Sequence, residues 1–134
     1  MDDFFSIMNK VSPDKLSPLV LAYIGDAVFE LFVRTYLISN VNKSSNSLTN
    51  YAKKYVSATA QSSFYYSLQQ ILTEKEIYIL KRGRNANPSH KAKNASVAEY
   101  RNATGLEALF GFLYLSNKNE RLLQIFNFCY ENRK

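Results

Sequence analysis

The longest apolar stretch of the chain, Leu19 to Val33, is broken by two carboxylates, Asp26 and Glu30. It falls short of the roughly 20 residues that a membrane span needs. A segment this apolar must then be covered by other protein, and its spacing says in what form. Leu16, Leu19, Val20, Tyr23, Ile24, Ala27, Val28 and Leu31 recur at helical intervals, while Ala22, Phe29, Phe32 and Val33 cover the opposite side. A helix apolar all round is expected at the centre of its fold.

The rest of the chain agrees with helices. It has four Gly and three Pro, few for a sandwich or barrel built on tight turns, and no segment alternates as a half-buried strand would. A chain of 134 residues fits one domain that hides roughly two-thirds of its unfolded surface. The expectation is an all-α, single-domain fold. Pro13, Pro18 and a Ser17 cap mark the start of the first long helix, which runs to about Asn40. A polar connection from Asn40 to Ser47 leads to a helix with Leu48, Tyr51, Tyr55 and Val56 inward, to about Ser57, and Thr59 to Leu72 forms the next. Thr73 with Glu76 has capping-box spacing and opens a short helix to about Arg82, with Gly83 at its end. Asn85 to Asn94, with Pro88, reads as an exposed loop. Ser96 with Glu99 repeats the capping box and opens a helix to about Leu115, and Asn119 to Tyr130 is a last amphipathic helix.

Charge and cysteine narrow the function classes. Lys and Arg outnumber Asp and Glu by 17 to 11, a net charge of +6 that makes polyanions plausible partners. The single cysteine, Cys129, has no internal disulfide partner, and no secretory leader pattern opens the chain, so a reducing cytoplasm is expected. The one histidine, His90, falls in the loop and Cys129 in the last helix, which argues against a zinc cluster or a Cys-His nucleophile. Between Ile77 and Ala98 stand Lys81, Arg82, Arg84, Lys91 and Lys93 with no acid. A charge run of this kind is usually a solvated face, but Gly83, Asn85, Asn87 and Pro88 among these five cations also make a segment that can follow a phosphate backbone. Tyr51, Tyr55, Tyr65, Tyr66 and Tyr78 sit at helical spacing, which favours core or dimer contacts over base stacking.

Two acids stand out because their surroundings are apolar. Asp26 follows Leu19-Val20-Leu21-Ala22-Tyr23-Ile24-Gly25, and Glu107 lies within Leu106 to Leu113. A buried, unpartnered carboxylate costs several kcal/mol, so each should answer to a cation, a metal, hydrogen-bond donors or a proton. An arginine such as Arg34 or Arg101 would serve Asp26, and Glu30 with Arg34 has the spacing of an ordinary i, i+4 ion pair. Gly25 beside Asp26, with Ala22 a turn before, and Ala103 and Gly111 a turn either side of Glu107, would let two helices cross closely. A helical glycine costs about 1 kcal/mol against alanine, so Gly25 and Gly111 point to such a crossing.

At these residues the chain resembles a known family. Ala22-Tyr23-Ile24-Gly25-Asp26-Ala27-Val28-Phe29-Glu30 resembles the nuclease signature of the ribonuclease III family, and Thr104-Gly105-Leu106-Glu107-Ala108-Leu109-Phe110-Gly111 its second acidic motif. The likeness runs from about Leu16 to Leu123. With Lys81-Arg82-Gly83-Arg84-Asn85-Ala86 between the motifs, the chain looks most like the mini-ribonuclease III branch. Ala22 and Thr104 stand where the larger family has two further acids, a difference the mini branch shares.

The resemblance implies a ribonuclease III endonuclease-like helical bundle over residues 1–134, without a separate double-stranded RNA-binding domain. It implies a metal-dependent endoribonuclease that cuts double-stranded RNA, with Asp26 and Glu107 as catalytic metal ligands and Glu30 and Thr104 in support. Mg2+ is the implied ion, with Mn2+ as substitute; such hard cations take carboxylates and waters. A homodimer, maturation of the precursor of large-subunit (23S) ribosomal RNA and an assisting ribosomal protein are implied as well. The competing reading is a non-catalytic RNA-binding or ribosome-associated helical module, against which the presence of both acids counts.

Overall fold

The computed structural model describes residues 3–40, 44–86 and 95–132. Among them the chain forms seven helices and no strand, as an all-α fold requires: α1 (Phe4–Asn9), α2 (Pro18–Asn40), α3 (Ser45–Val56), α4 (Ala58–Leu68), α5 (Glu74–Asn85), α6 (Val97–Leu115) and α7 (Asn119–Glu131). A 3-10 turn, Pro13–Lys15, joins α1 to α2. No helix of the described residues is long and apolar enough to cross a membrane.

Helix starts follow the side-chain oxygens that satisfy otherwise orphaned backbone N–H groups. Ser17 accepts from the N–H of Val20 at the head of α2, and both capping boxes, Thr73 with Glu76 and Ser96 with Glu99, are formed reciprocally. Ser44 and Ser57 cap α3 and α4 in the same way. The end of α6 is a Schellman turn: Asn117 takes φ 60°, and the N–H groups of Asn117 and Lys118 return to Tyr114 and Leu113.

The central helix is α6, not α2. From Asn102 to Leu113 every α6 residue except Glu107 is buried, with α2, α4, α5 and α7 packed around it. Helix α2 buries Leu21, Ala22, Gly25, Val28, Phe29, Val33 and Leu37 and leaves Val20, Tyr23, Leu31 and Ile38 exposed, so its all-round apolar pattern reflects one covered and one uncovered face. Phe29 anchors the core with its ring edge-on to Phe110 at 5.0 Å and to Phe126 at 6.0 Å.

Several boundaries differ from expectation. Phe4–Asn9, for which no helix was expected, form α1, capped by Asp3, and α4 stops at Leu68 rather than Leu72. Helix α5 runs through Gly83 to Asn85, because Gly83 is no terminator: it is where α5 meets α6. A Cβ on Gly83 would lie 2.8 Å from both the Ala108 Cβ and the Gly105 Cα. Lys81, Arg82 and Arg84 therefore project from a helix; of the expected loop, Asn85 ends α5 and Ala86 caps it, while residues 87–94, with His90, Lys91 and Lys93, lie outside the described residues.

Candidate active site

Helices α2 and α6 cross where Gly25 meets Gly111. A Cβ on Gly25 would stand 1.6 Å from the Glu107 carbonyl oxygen, and one on Gly111 would stand 2.0 Å from that of Leu21. Only hydrogen fits at either position, so backbones touch where ordinary helices keep 8–10 Å between axes. Asp26 is the next residue after Gly25, and Glu107 lies one turn before Gly111. The close crossing thus carries the two carboxyl groups to the same place.

That place is an open cleft lined by Leu19, Tyr23, Asp26, Glu30, Tyr100, Thr104 and Glu107. On α2, Leu19, Tyr23, Asp26 and Glu30 share one helical face; on α6, Tyr100, Thr104 and Glu107 share another. Asp26 is exposed at the mouth, which corrects its expected burial within apolar core, and Glu107 is half-buried. Among the described residues neither Arg34 nor Arg101 forms an ion pair with Asp26; Arg34 pairs with Glu30 at 2.6 Å. Thr104 lines the cleft, yet its hydroxyl donates to the Tyr100 carbonyl at 3.0 Å.

The two acids interact directly. Burial, the charge of Asp26 and a hydrogen bond to Asp26 push the Glu107 carboxyl up to about 9, against the opposing pull of the Gln61 side chain. At neutral pH the two carboxyls therefore share a proton between them. The Tyr100 phenol is also raised, by burial and then by the charges of Glu107 and Asp26. Sequence reasoning missed Tyr100, although its position seven residues before Glu107 sets it on the same helical face. It also missed Gln61, a buried polar residue of α4, for which the sequence carries no signal.

The basic residues are placed unevenly. Lys81 is exposed; the Arg82 guanidinium lies over the Tyr78 ring at 5.7 Å; Arg84 donates to Asn102 at 3.0 Å and to Asn85 at 3.2 Å. Asn102 in turn donates to Ser62 at 3.0 Å, tying α5, α6 and α4 together. Of the five tyrosines, Tyr65 is core and Tyr55 stacks on Tyr130, while Tyr51, Tyr66 and Tyr78 are exposed.

A helical bundle that brings two acids together across a glycine crossing defines a class, and comparison with known proteins agrees. The family model described as the ribonuclease III domain matches residues 19–118, and the chain belongs to that family, the endoribonucleases of double-stranded RNA. Within it, the chain is similar to proteins named mini-ribonuclease 3. That of Clostridium tetani is 51% identical over 112 residues, covering 83% of this chain and 74% of the relative. That of Staphylococcus aureus is 46% identical over 114 residues, covering 84% and 85%. A crystal structure of a Fusobacterium nucleatum protein superposes with a TM-score of 0.79 at 34% identity, covering 87% of this chain and 93% of that one.

The donor set can be tested against the divalent metal on which the family depends. Two carboxyls forced together carry a proton because their charges cannot both stand unscreened, and a divalent cation would replace that proton. Both donors are oxygens in an open cleft, which suits a hard ion that retains several waters. No three His, Cys, Asp or Glu side chains among the described residues converge closely enough to hold a metal ion by themselves, and Cys129 is buried in α7 with its thiol pushed far up by burial. The residues present fit a carboxylate-and-water ion and not zinc.

Proposed function

We propose that Asp26 and Glu107 hold the catalytic metal and that the cleft they share is where one strand of duplex RNA is cut. The observation that carries this reading is the direct meeting of the two carboxyls across the Gly25 crossing. Mg2+ is the proposed ion, with Mn2+ as its substitute.

When bound, the cation supplies charge stabilisation to the phosphate and a source of hydroxide at neutral pH. The chain contributes the rest. Asp26, exposed at the mouth, presents its carboxylate to solvent and substrate, and Glu107, deeper, would be the second oxygen donor, the proton of the pair passing to solvent. Glu30 lines the same face but is engaged by Arg34, so it supports the site through charge rather than as a free donor. Thr104 shapes the wall and holds the Tyr100 backbone.

Lys81, Arg82 and Arg84, together with Lys91 and Lys93, form the proposed RNA contact. Duplex RNA is recognised through phosphates and 2'-hydroxyls, for which cations at the end of α5 and the following segment are suited. The protein acts as a homodimer in this reading, one cleft per subunit and one cut per strand. Support comes from α2, where Val20, Tyr23, Ala27, Leu31 and Ile38 make an exposed, largely apolar stripe beside the cleft. In this reading residues 1–134 form one catalytic domain, and the enzyme works in the cytoplasm on the precursor of large-subunit (23S) ribosomal RNA, with a ribosomal protein assisting.

Incubation of a uniform RNA duplex with Mg2+ tests the assignment. Wild type should cut it, while Asp26→Asn and Glu107→Gln should bind it and lose at least about 10³-fold in rate. Binding without cleavage by all three would favour a non-catalytic RNA-binding module.

A further inference from the structure

Gln61 is 2% exposed, on the face of α4 that packs against α6, and its side chain hydrogen-bonds to Glu107. A buried primary amide costs free energy wherever its groups lack partners, so an apolar side chain would fill this space better if packing were all it did. A carboxylate oxygen only accepts, so the amide offers it an N–H. The next residue, Ser62, is also buried and accepts from Asn102 of α6, which itself accepts from Arg84 of α5. Helix α4 is therefore pinned to α6 by a separate polar link beside Gln61, which fixes the backbone from which the amide reaches Glu107.

We propose that Gln61 is a positioning residue that holds the Glu107 carboxylate in the orientation that receives the divalent ion, acting from behind the cleft without touching substrate. The proposal rests on the reading of Asp26 and Glu107 as the metal-holding pair. Two carboxylate oxygens offer about four lone-pair directions. With one occupied by the Gln61 amide, others remain free to face a cation in the cleft. Partners of this kind behind a metal ligand typically account for about 10–100-fold in metal affinity or activity.

The experiment is a Mg2+ titration by calorimetry on the free protein, run on wild type, Gln61→Met, Gln61→Asn and Glu107→Gln, with duplex cleavage measured across the same Mg2+ range. Methionine keeps the length of glutamine without its donor; asparagine keeps the amide but sets it one methylene short. Both should bind Mg2+ about 10–100-fold more weakly. Their duplex-RNA KM should stay near wild type, and excess Mg2+ should recover much of the cleavage rate. Should the methionine chain fail to fold, the asparagine chain decides alone.

Wild-type Mg2+ affinity in a folded Gln61 variant, with Glu107→Gln weakened, overturns the role of Gln61 and leaves the metal pair standing. So does a loss of cleavage that follows thermal stability and no extra Mg2+ recovers. Unaltered Mg2+ affinity in Glu107→Gln overturns the metal pair itself.

Discussion

A Cβ placed on Gly25 would lie 1.6 Å from the backbone carbonyl oxygen of Glu107. The obstructing atom belongs to a buried helix, so no side chain can swing aside. Gly25→Ala should force α2 and α6 apart and cost more than about 4 kcal/mol, at the extreme of single substitutions. Gly83→Ala meets the Ala108 methyl and the Gly105 Cα at 2.8 Å and should cost about 1–3 kcal/mol. Denaturant melts of both rank them, and a Gly25→Ala midpoint close to that of wild type would refute the crossing.

The Glu76 and Arg121 pair makes stability depend on pH. Burial alone would raise the Glu76 carboxyl, but the Arg121 side chain and the Thr73 backbone outweigh it and hold it below its ordinary value of 4.5. Arg121 donates 2.8 Å bonds to both Glu76 oxygens and to the Ile71 carbonyl, joining α7 to α5 and to the segment before it. A lowered folded value gives stability that is full above pH 4.5 and fades as the pH falls through that folded value. Removing one partner of such a pair costs about 3 kcal/mol. Glu76→Ala should therefore melt well below wild type at pH 7, and the gap should narrow as the pH drops below 4. A constant gap would contradict the linkage.

Charge reversal separates the cations of α5. Lys81→Glu should weaken duplex binding across sequences and lower the slope of log K against log salt by about 1, with the melting temperature unchanged. Arg84→Glu should weaken binding and also destabilise the fold, because it breaks the link through Asn102 to Ser62. Filter binding at several salt concentrations, beside thermal melts, distinguishes the two; equal stability for both variants would show the Asn102 link to be idle.

The exposed stripe on α2 predicts assembly. Leu31 is 62% exposed, and Leu31→Glu should turn a dimer into a monomer in sedimentation equilibrium, with little loss of helix by circular dichroism. A variant that sediments as wild type does would place the dimer contact elsewhere.

What could be read from the sequence follows the range of the interactions. Caps act within three residues, so Ser17, Thr73 and Ser96 were legible, and helical glycines are costly enough that Gly25 and Gly111 foretold a crossing. The centre of the fold was misread because α2 and α6 are both apolar on most sides. Only tertiary packing shows that α6 is enclosed while α2 keeps an uncovered stripe. The same ambiguity placed Asp26 in the core and Gly83 at a helix end. Gln61 was invisible, since a glutamine in a helix looks alike whether it faces water or a carboxyl group 46 residues away.

The claim that Asp26 and Glu107 share one divalent ion is tested most directly by counting the Mn2+ ions held per chain with electron paramagnetic resonance. Wild type should hold tightly an ion that Asp26→Asn and Glu107→Gln each fail to retain. Retention of that ion by either variant would contradict the shared site.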